Sequence, residues 1–230
     1  MKVRIGYCAW VVGVVQFFVL HLVVQTAWER PYSWARNNIS DLGNAHCVLQ
    51  PDPEPRYVCS PGHGLMNVSF VTLGVLLAVG AVLAGGALWR RSGRAVAARL
   101  LLAGGGLGFV LAGLAPADID ENVHMLGALL VMGVGNIGLL LASWAPAERL
   151  AGWARRAAGL AGAVAVVAFG LFLSGHYLGL GMGGMERAAA FPPLLWALAV
   201  GLAGLLGGLR GEAGPRRATR AVQGTRAFQG

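Results

Sequence analysis

Charged residues are scarce in this 230-residue chain: Asp, Glu, Lys and Arg together make up 12% of it. Soluble domains carry roughly 25% charged residues, so an ordinary soluble domain is excluded. Intrinsic disorder is excluded as well, because 56% of the residues are hydrophobic and a chain this apolar does not stay solvated. With three cysteines and no short repeat, the chain is neither a disulfide-dense nor a fibrous scaffold. The composition indicates a membrane protein.

Local motifs for chemistry are also missing. The sequence contains no HExxH pair, no CxxC pair and no GxSxG elbow. Its run of three glycines at residues 104–106 is not a phosphate loop, because no Lys-Ser/Thr follows it and it lies within an apolar stretch. No metal site is therefore predicted, and no motif identifies a cofactor.

Six long apolar stretches follow one another along the chain. Each can cross a hydrocarbon core of ~30 Å as a helix rising ~1.5 Å per residue. Helices are the expected form, because lipid leaves no partner for unpaired backbone polar groups. The sequence predicts an all-α bundle of six transmembrane helices in one domain, residues 1–210, with a basic flexible tail over residues 211–230. The predicted helices cover residues 5–28, 63–89, 95–115, 123–145, 157–180 and 188–209.

The basic residues fall mostly on one side of this six-helix arrangement. If the N-terminus is cytoplasmic, all 18 Lys and Arg are cytoplasmic except Arg30, Arg36, Arg56 and Arg187, which leaves 18 − 4 = 14 inside. By the positive-inside rule, both termini are predicted to be cytoplasmic, with a long extracytoplasmic loop between helices 1 and 2. This predicts a multi-pass protein of the cell membrane. The net charge of +8 then comes from the cytoplasmic side, where the basic tail can contact anionic lipid, and no nucleic-acid partner is predicted.

Two of the cysteines lie in that loop. Cys47 and Cys59 are on the side of the membrane where oxidation is expected, so a disulfide is predicted between them. The bridge would close a short stretch containing three prolines, which can form neither helix nor sheet. The alternative is a pair of unpaired loop thiols.

The histidines all fall outside the predicted cytoplasmic segments, near the same membrane face as several acids. Such a group can bind a metal, shuttle protons or act as acid and base. The alternative is that they are separate interfacial or bundle-satisfied residues. The five are His21, His46, His63, His124 and His176.

Several short motifs, in a fixed order, resemble the integral-membrane family catalogued as domain of unknown function 998. They are Asn38–Gly43, His63–Phe70, Pro116–Asp118, His124–Ala128, Gly135–Asn136, Gly184–Arg187, Phe191–Pro192 and Trp196. The resemblance spans roughly residues 5–209 and implies the fold and the membrane location, with no activity. The cysteine-bearing insert, about residues 44–61, is longer than the family pattern.

The polar positions predict an outward-facing pocket that binds or processes a lipid or a hydrophobic small molecule, with Arg187 pairing one of the carboxylates. The candidate catalytic residues are Asp41, His63, Asp118, His124 and Glu186. The candidate ligand-binding residues are His21, Asn67, His176 and Arg187.

The alternative function is a non-catalytic scaffold or partner subunit of a membrane complex, in which these side chains are dispersed. A transporter is less favoured because no inverted repeat is evident. Whether the protein is an enzyme is left open. Glycines at four-residue spacing permit close helix approach, but the partner can be a helix of the same chain, so no oligomeric state is predicted.

Overall fold

A computed structural model of the protein describes residues 1–51 and 55–209, and the predicted basic tail over residues 211–230 lies outside them. Helices dominate this part of the chain. They are α1 (Lys2–Thr26), α2 (His63–Leu83), α3 (Gly85–Leu88), α4 (Gly93–Leu114), α5 (Glu121–Leu129), α6 (Asn136–Trp144), α7 (Gly152–Leu173) and α8 (Gly181–Leu206). The other elements are a 3-10 turn (Ser40–Gly43), two short strands, β1 (Val48–Gln50) and β2 (Arg56–Val58), and a π-helical segment (Leu130–Gly135).

These elements form six helices that are long and apolar enough to cross a membrane. Two of the six are composite: α2 and α3 form His63–Leu88, while α5, the π segment and α6 form Glu121–Trp144, the fourth span. The predicted all-α fold with six such helices is confirmed. We call the end of the bundle that carries residues 27–62, the loop segment, the loop face; α1 starts at the opposite face.

The last two helices lie earlier in the chain than predicted. The fifth ends at Leu173 rather than at residue 180, because Gly175, Leu178 and Gly179 have φ angles of +70°, +49° and +83°. Backbone in the left-handed region cannot continue an α-helix. As a result α8 begins at Gly181 rather than at residue 188, and the motif that contains Glu186 lies inside this helix.

The buried core has one cluster near each face. Near the loop face, Phe17, Phe70 and Phe109 meet with ring centroids 5.9–6.3 Å apart. Toward the opposite face, Trp196 packs against Trp10 and Trp89 with centroids 5.7 and 6.3 Å away. These contacts join α1, α2, α4 and α8 at two depths, so the bundle is packed through its whole height.

Glycine allows α4 to approach the fourth span closely. A Cβ built on Gly108 would lie 2.6 Å from the Gly127 carbonyl oxygen, and one built on Gly127 would lie 2.8 Å from the Gly108 oxygen. Any side chain at either position would push the two helices apart.

A disulfide links Cys47 to Cys59, with their Cα atoms 4.2 Å apart, which confirms the predicted bridge. The strands β1 and β2 lie just inside it and pair antiparallel, with Val48 opposite Val58. The prediction that the stretch between the cysteines forms no sheet is therefore wrong, because its two ends pair as strands and the three prolines fall between those strands in the sequence. The bridge and the strand pair together hold β1 and β2 side by side.

Candidate functional site

Arg187 attaches the loop segment to α8. Its Nη1 donates hydrogen bonds to the carbonyl oxygens of Trp34 (3.0 Å), Asn37 (2.8 Å) and Gly183 (2.8 Å), and its Nη2 donates to the Tyr32 hydroxyl. The guanidinium also stacks over the Trp34 ring, 4.9 Å from its centroid. Arg187 therefore bonds to loop carbonyls and a hydroxyl instead of the carboxylate expected from the sequence.

Asp41 is bonded within the loop segment and is 2% exposed. Arg56 donates to both of its oxygens, from Nε to Oδ2 at 2.8 Å and from Nη2 to Oδ1 at 3.0 Å. The backbone N–H of Asn38 adds a third hydrogen bond of 2.9 Å. Two-point Arg–carboxylate bonding of this kind fixes geometry, so Asp41 holds the loop segment in shape.

Asp118, in the turn before α5, bonds the other side of the loop segment. The backbone N–H groups of Ala45 and His46 donate to its carboxylate at 3.1 and 2.7 Å, and His46 Nδ1 lies 2.9 Å from Oδ2. Burial opposes ionisation of Asp118, but the hydrogen bonds from His46 and Ala45 outweigh it and lower the pKa.

His63 and Asn67 hold the loop segment against α2. His63 Nδ1 lies 2.9 Å from the Ser60 carbonyl oxygen, and Asn67 Nδ2 donates to the Gly43 oxygen at 2.9 Å. His176 lies apart from both, in the exposed turn after α7, where Nδ1 is 3.1 Å from a serine hydroxyl.

His21 is fully buried in α1 among aromatic rings. The centroids of Trp34, Tyr32 and Phe191 lie 5.1, 6.0 and 6.3 Å from its own. Within the described residues, neither of its ring nitrogens has a hydrogen-bond partner. Tyr32, which belongs to the loop segment, is buried in this cluster, and its burial raises the pKa of its hydroxyl. Among all the residues that the structure describes, no group of three or more His, Cys, Asp or Glu could hold a metal ion.

Two of the five candidate catalytic residues line one cavity of about 40 Å³ beneath the loop segment, which we call the polar cavity. They are His124 from α5 and Glu186 from α8, and Ser40 lies beside them. Glu186 Oε2 accepts a hydrogen bond of 2.5 Å from the backbone N–H of Ile39, and His124 Nδ1 lies 2.9 Å from the Ala115 carbonyl oxygen. The remaining lining is apolar.

A second cavity of about 40 Å³, the apolar cavity, adjoins the first. Phe109, Val131 and Ala190 line both. The apolar cavity continues between α1, α2, α4, α8 and the fourth span as far as Trp10 and Trp196. The helix lining from His124 to Gly135 spans about 16 Å at ~1.5 Å per residue. The two cavities together thus run from a polar end toward mid-membrane.

The π segment, which hydropathy does not predict, forms part of this wall. Val131 and Met132 in this segment line the polar cavity, and the Asn136 that follows it donates from Nδ2 to the Ala189 oxygen at 2.9 Å. That oxygen has no intrahelical donor, because residue 193, four positions later, is proline. The sequence signal for this contact is the pair of adjacent prolines in the last apolar run. Each proline lacks an N–H, so the carbonyl one turn earlier needs a hydrogen-bond donor from elsewhere.

The fold and the buried polar contacts define a helical multi-pass membrane protein with six spans and a loop fastened over one face. The chain belongs to the family described as protein of unknown function (DUF998), whose model matches residues 11–203. The resemblance seen in the sequence is thereby confirmed. No curated protein and no solved structure matches the chain.

Proposed function

We propose that the protein binds one hydrophobic molecule, a lipid or lipid-like single chain, in the polar and apolar cavities. Its polar end lies beside His124 and Glu186, and its chain extends toward Trp10 and Trp196. The observation that carries the proposal is the shared wall of Phe109, Val131 and Ala190, which joins a cavity with polar groups to one without them.

The size and lining of the apolar cavity favour a hydrocarbon chain over water. At about 40 Å³ it exceeds the roughly 10–15 Å³ that one water requires, but a buried water also needs two to four polar partners. Bilayer tails are as apolar as this cavity, so the chain alone gives little selectivity. The polar end is therefore what distinguishes the ligand from bulk lipid.

Binding is favoured over chemistry. Of the five candidate catalytic residues, Asp41, His63 and Asp118 are hydrogen-bonded to or within the loop segment. His124 and Glu186 are the candidates that line the polar cavity, and Glu186 also accepts from the Ile39 N–H of the loop segment. With 14 of the 18 basic residues on the other side, the loop face is the extracytoplasmic one, and the ligand comes from that leaflet of the cell membrane.

The second candidate is a non-catalytic scaffold or partner subunit of a membrane complex. The bonds that fasten the loop segment favour it, since they give the loop face a fixed shape without any ligand. In that case the two cavities are packing defects and hold no occupant.

Photolabelling distinguishes the two functions. The purified protein in bilayer nanodiscs is irradiated with a long-chain alcohol that carries a diazirine in its chain, and the labelled residues are mapped by mass spectrometry. The proposal expects saturable labelling of cavity residues such as Leu102 and Leu194. Labelling confined to lipid-exposed residues such as Leu107 and Leu195 would favour the scaffold.

A matched pair of alanine-to-leucine substitutions in α8 controls for folding. Ala190→Leu fills the wall that the two cavities share, whereas Ala199→Leu adds the same atoms at an exposed position of the same helix. Only the first should abolish cavity labelling. If Ala190→Leu does not fold, Ala128→Leu is used in its place, because it narrows the polar cavity from the side of the fourth span.

A further inference from the structure

We infer that the ligand's polar end is a hydrogen-bond donor, a hydroxyl or an amine, and that phosphate and carboxylate head groups are excluded. This inference rests on the proposed function and specifies its ligand class. It follows from which hydrogen-bonding atoms of the polar cavity are already used and which are left.

His124 presents an acceptor. Its Nδ1 lies 2.9 Å from the Ala115 carbonyl oxygen, which can only accept, so Nδ1 carries the hydrogen. The neutral imidazole then has its lone pair on Nε2. Because the ring lines the polar cavity, Nε2 is the atom with which it can bond a ligand.

Glu186 also presents an acceptor. The Ile39 backbone N–H donates to Oε2, and within the described residues this is the one hydrogen bond to the carboxylate. An ionised carboxylate accepts through both oxygens and donates through neither. Ser40, the remaining polar lining residue, has a hydroxyl that both donates and accepts. With Glu186 ionised, the cavity therefore offers two acceptors, Glu186 and His124, and one group that both donates and accepts, Ser40.

The nearby cations do not supply the missing donors. Arg187 follows Glu186 in the chain, and its Nη1 and Nη2 bond the Asn37 and Gly183 oxygens and the Tyr32 hydroxyl. Its Nε has no hydrogen-bond partner among the described residues, but Arg187 does not line the polar cavity. Arg56 bonds both oxygens of Asp41. No Arg or Lys is among the described residues that line the polar cavity.

An anionic head group would thus enter a mostly apolar space beside a carboxylate without a cation of its own. Burying an unpaired charge is strongly unfavourable, and like charges at close range add to the penalty. A hydroxyl or an amine instead donates to Glu186 and His124 and leaves no buried acceptor unpaired. The polar cavity is therefore complementary to a hydroxyl or an amine and not to an anionic head group.

Competition against the photolabel tests this inference on the full chain in nanodiscs. The competitors share one saturated chain and differ only in the head group: primary alcohol, primary amine, carboxylate or phosphate monoester. We expect the alcohol and the amine to compete about tenfold or more better than the carboxylate and the phosphate, as one charge-assisted hydrogen bond implies. Equal or better competition by either anion would overturn the inference.

Glu186→Gln provides the matched variant, since the amide oxygen still accepts from Ile39 while the amide NH₂ becomes a donor. The preference for alcohol over carboxylate should shrink in this variant, and an unchanged preference would count against the inference. If no head group competes, or if Ala190→Leu is labelled as well as the wild type, the proposed function itself fails. Cavity labelling that persists with an anion preference refutes only the ligand class.

Discussion

At the residue scale, two charged side chains at the loop face, Arg187 and Asp41, are buried and bonded instead of being left in solvent. Arg187 and Asp41 are 6% and 2% exposed, and together they make eight hydrogen bonds, seven of them to residues of the loop segment. Charges in such surroundings are tolerated only when they are paired or hydrogen-bonded. Both guanidinium Nη atoms of Arg187 are bonded, while its Nε has no partner among the described residues. Substituting one of them leaves its partners buried and unsatisfied.

Arg187→Met is expected to lower the free energy of unfolding by about 3 kcal/mol or more, because three carbonyls and a hydroxyl lose a charged donor. Arg187→Lys should recover only part of this, since an ammonium lacks the planar fork. Limited proteolysis of the loop segment and thermal melting in detergent measure both effects.

Arg30→Met is the control for that prediction, because Arg30 stacks on the Tyr57 ring at 4.6 Å. An exposed cation–π contact is worth about 0.5–1 kcal/mol. Equal losses for the Arg187 and Arg30 variants would show that Arg187 is not an anchor.

Acid should weaken the attachment between the loop segment and the turn before α5. Asp118 has a lowered pKa in the folded protein, so its stabilisation is complete above the unfolded value of about 3.9 and is lost as the pH falls through the folded value. Melting curves between about pH 7 and about pH 3 should therefore show a smaller acid-dependent loss for Asp118→Asn than for wild type.

His46→Ala separates backbone from side-chain contributions to the same effect. The His46 side chain is 68% exposed, and this variant retains both backbone N–H donors to Asp118. It should keep most of the acid dependence. Acid dependence identical in wild type and Asp118→Asn would refute the assignment to this carboxylate.

The sequence predicts which residue types gather at the loop face, but not how they pair. Asp118 and His46 are 72 residues apart, and Arg187 and Tyr32 are 155 apart. Helix periodicity relates only positions within one helix, so such contacts depend on how the helices pack. For this reason the sequence analysis grouped Asp118 with His124 and Glu186, whereas the structure bonds it to the loop segment.

At the element scale, the fourth span and α8 are irregular where they line the cavities. The fourth span contains the π segment Leu130–Gly135, and α8 contains Pro192 and Pro193. π segments occur frequently at functional sites, and interior prolines leave carbonyls free. Asn136 joins the two irregularities through the Ala189 oxygen.

A double-mutant cycle tests this junction. Asn136→Leu should destabilise the protein by about 1 kcal/mol, a magnitude expected for a hydrogen bond between transmembrane helices. In a Pro193→Ala background the loss should be smaller, because residue 193 then has an N–H that can bond the Ala189 oxygen. Additive effects measured by denaturant or thermal unfolding would show that the two positions are independent.

The number of helices is readable from the sequence, because an apolar run that can cross a bilayer is unmistakable in length. Where the fifth helix ends is not, because residues 174–180 contain neither a charged residue nor a proline to mark the end. Its end depends on the positive φ of Gly175, Leu178 and Gly179. The π segment leaves no mark in hydropathy either, so the cavity wall could not be derived from periodicity.

At the scale of the whole molecule, the distribution of the basic residues predicts the orientation of the six spans. Reporter fusions after residue 209 and within the loop segment should report cytoplasmic and extracytoplasmic locations, respectively. The reason is the placement of 14 of the 18 basic residues on one side. An extracytoplasmic C-terminus would contradict the topology and would place the polar cavity in the other leaflet.

The central claim is that a single hydrophobic molecule occupies the polar and apolar cavities, and native mass spectrometry of protein released from membranes tests it most directly. Wild type and Ala199→Leu should each retain a mass increment equal to one such molecule, whereas Ala190→Leu should retain none, because its added atoms fill the shared wall. The same increment on all three proteins, or on none of them, would contradict the claim.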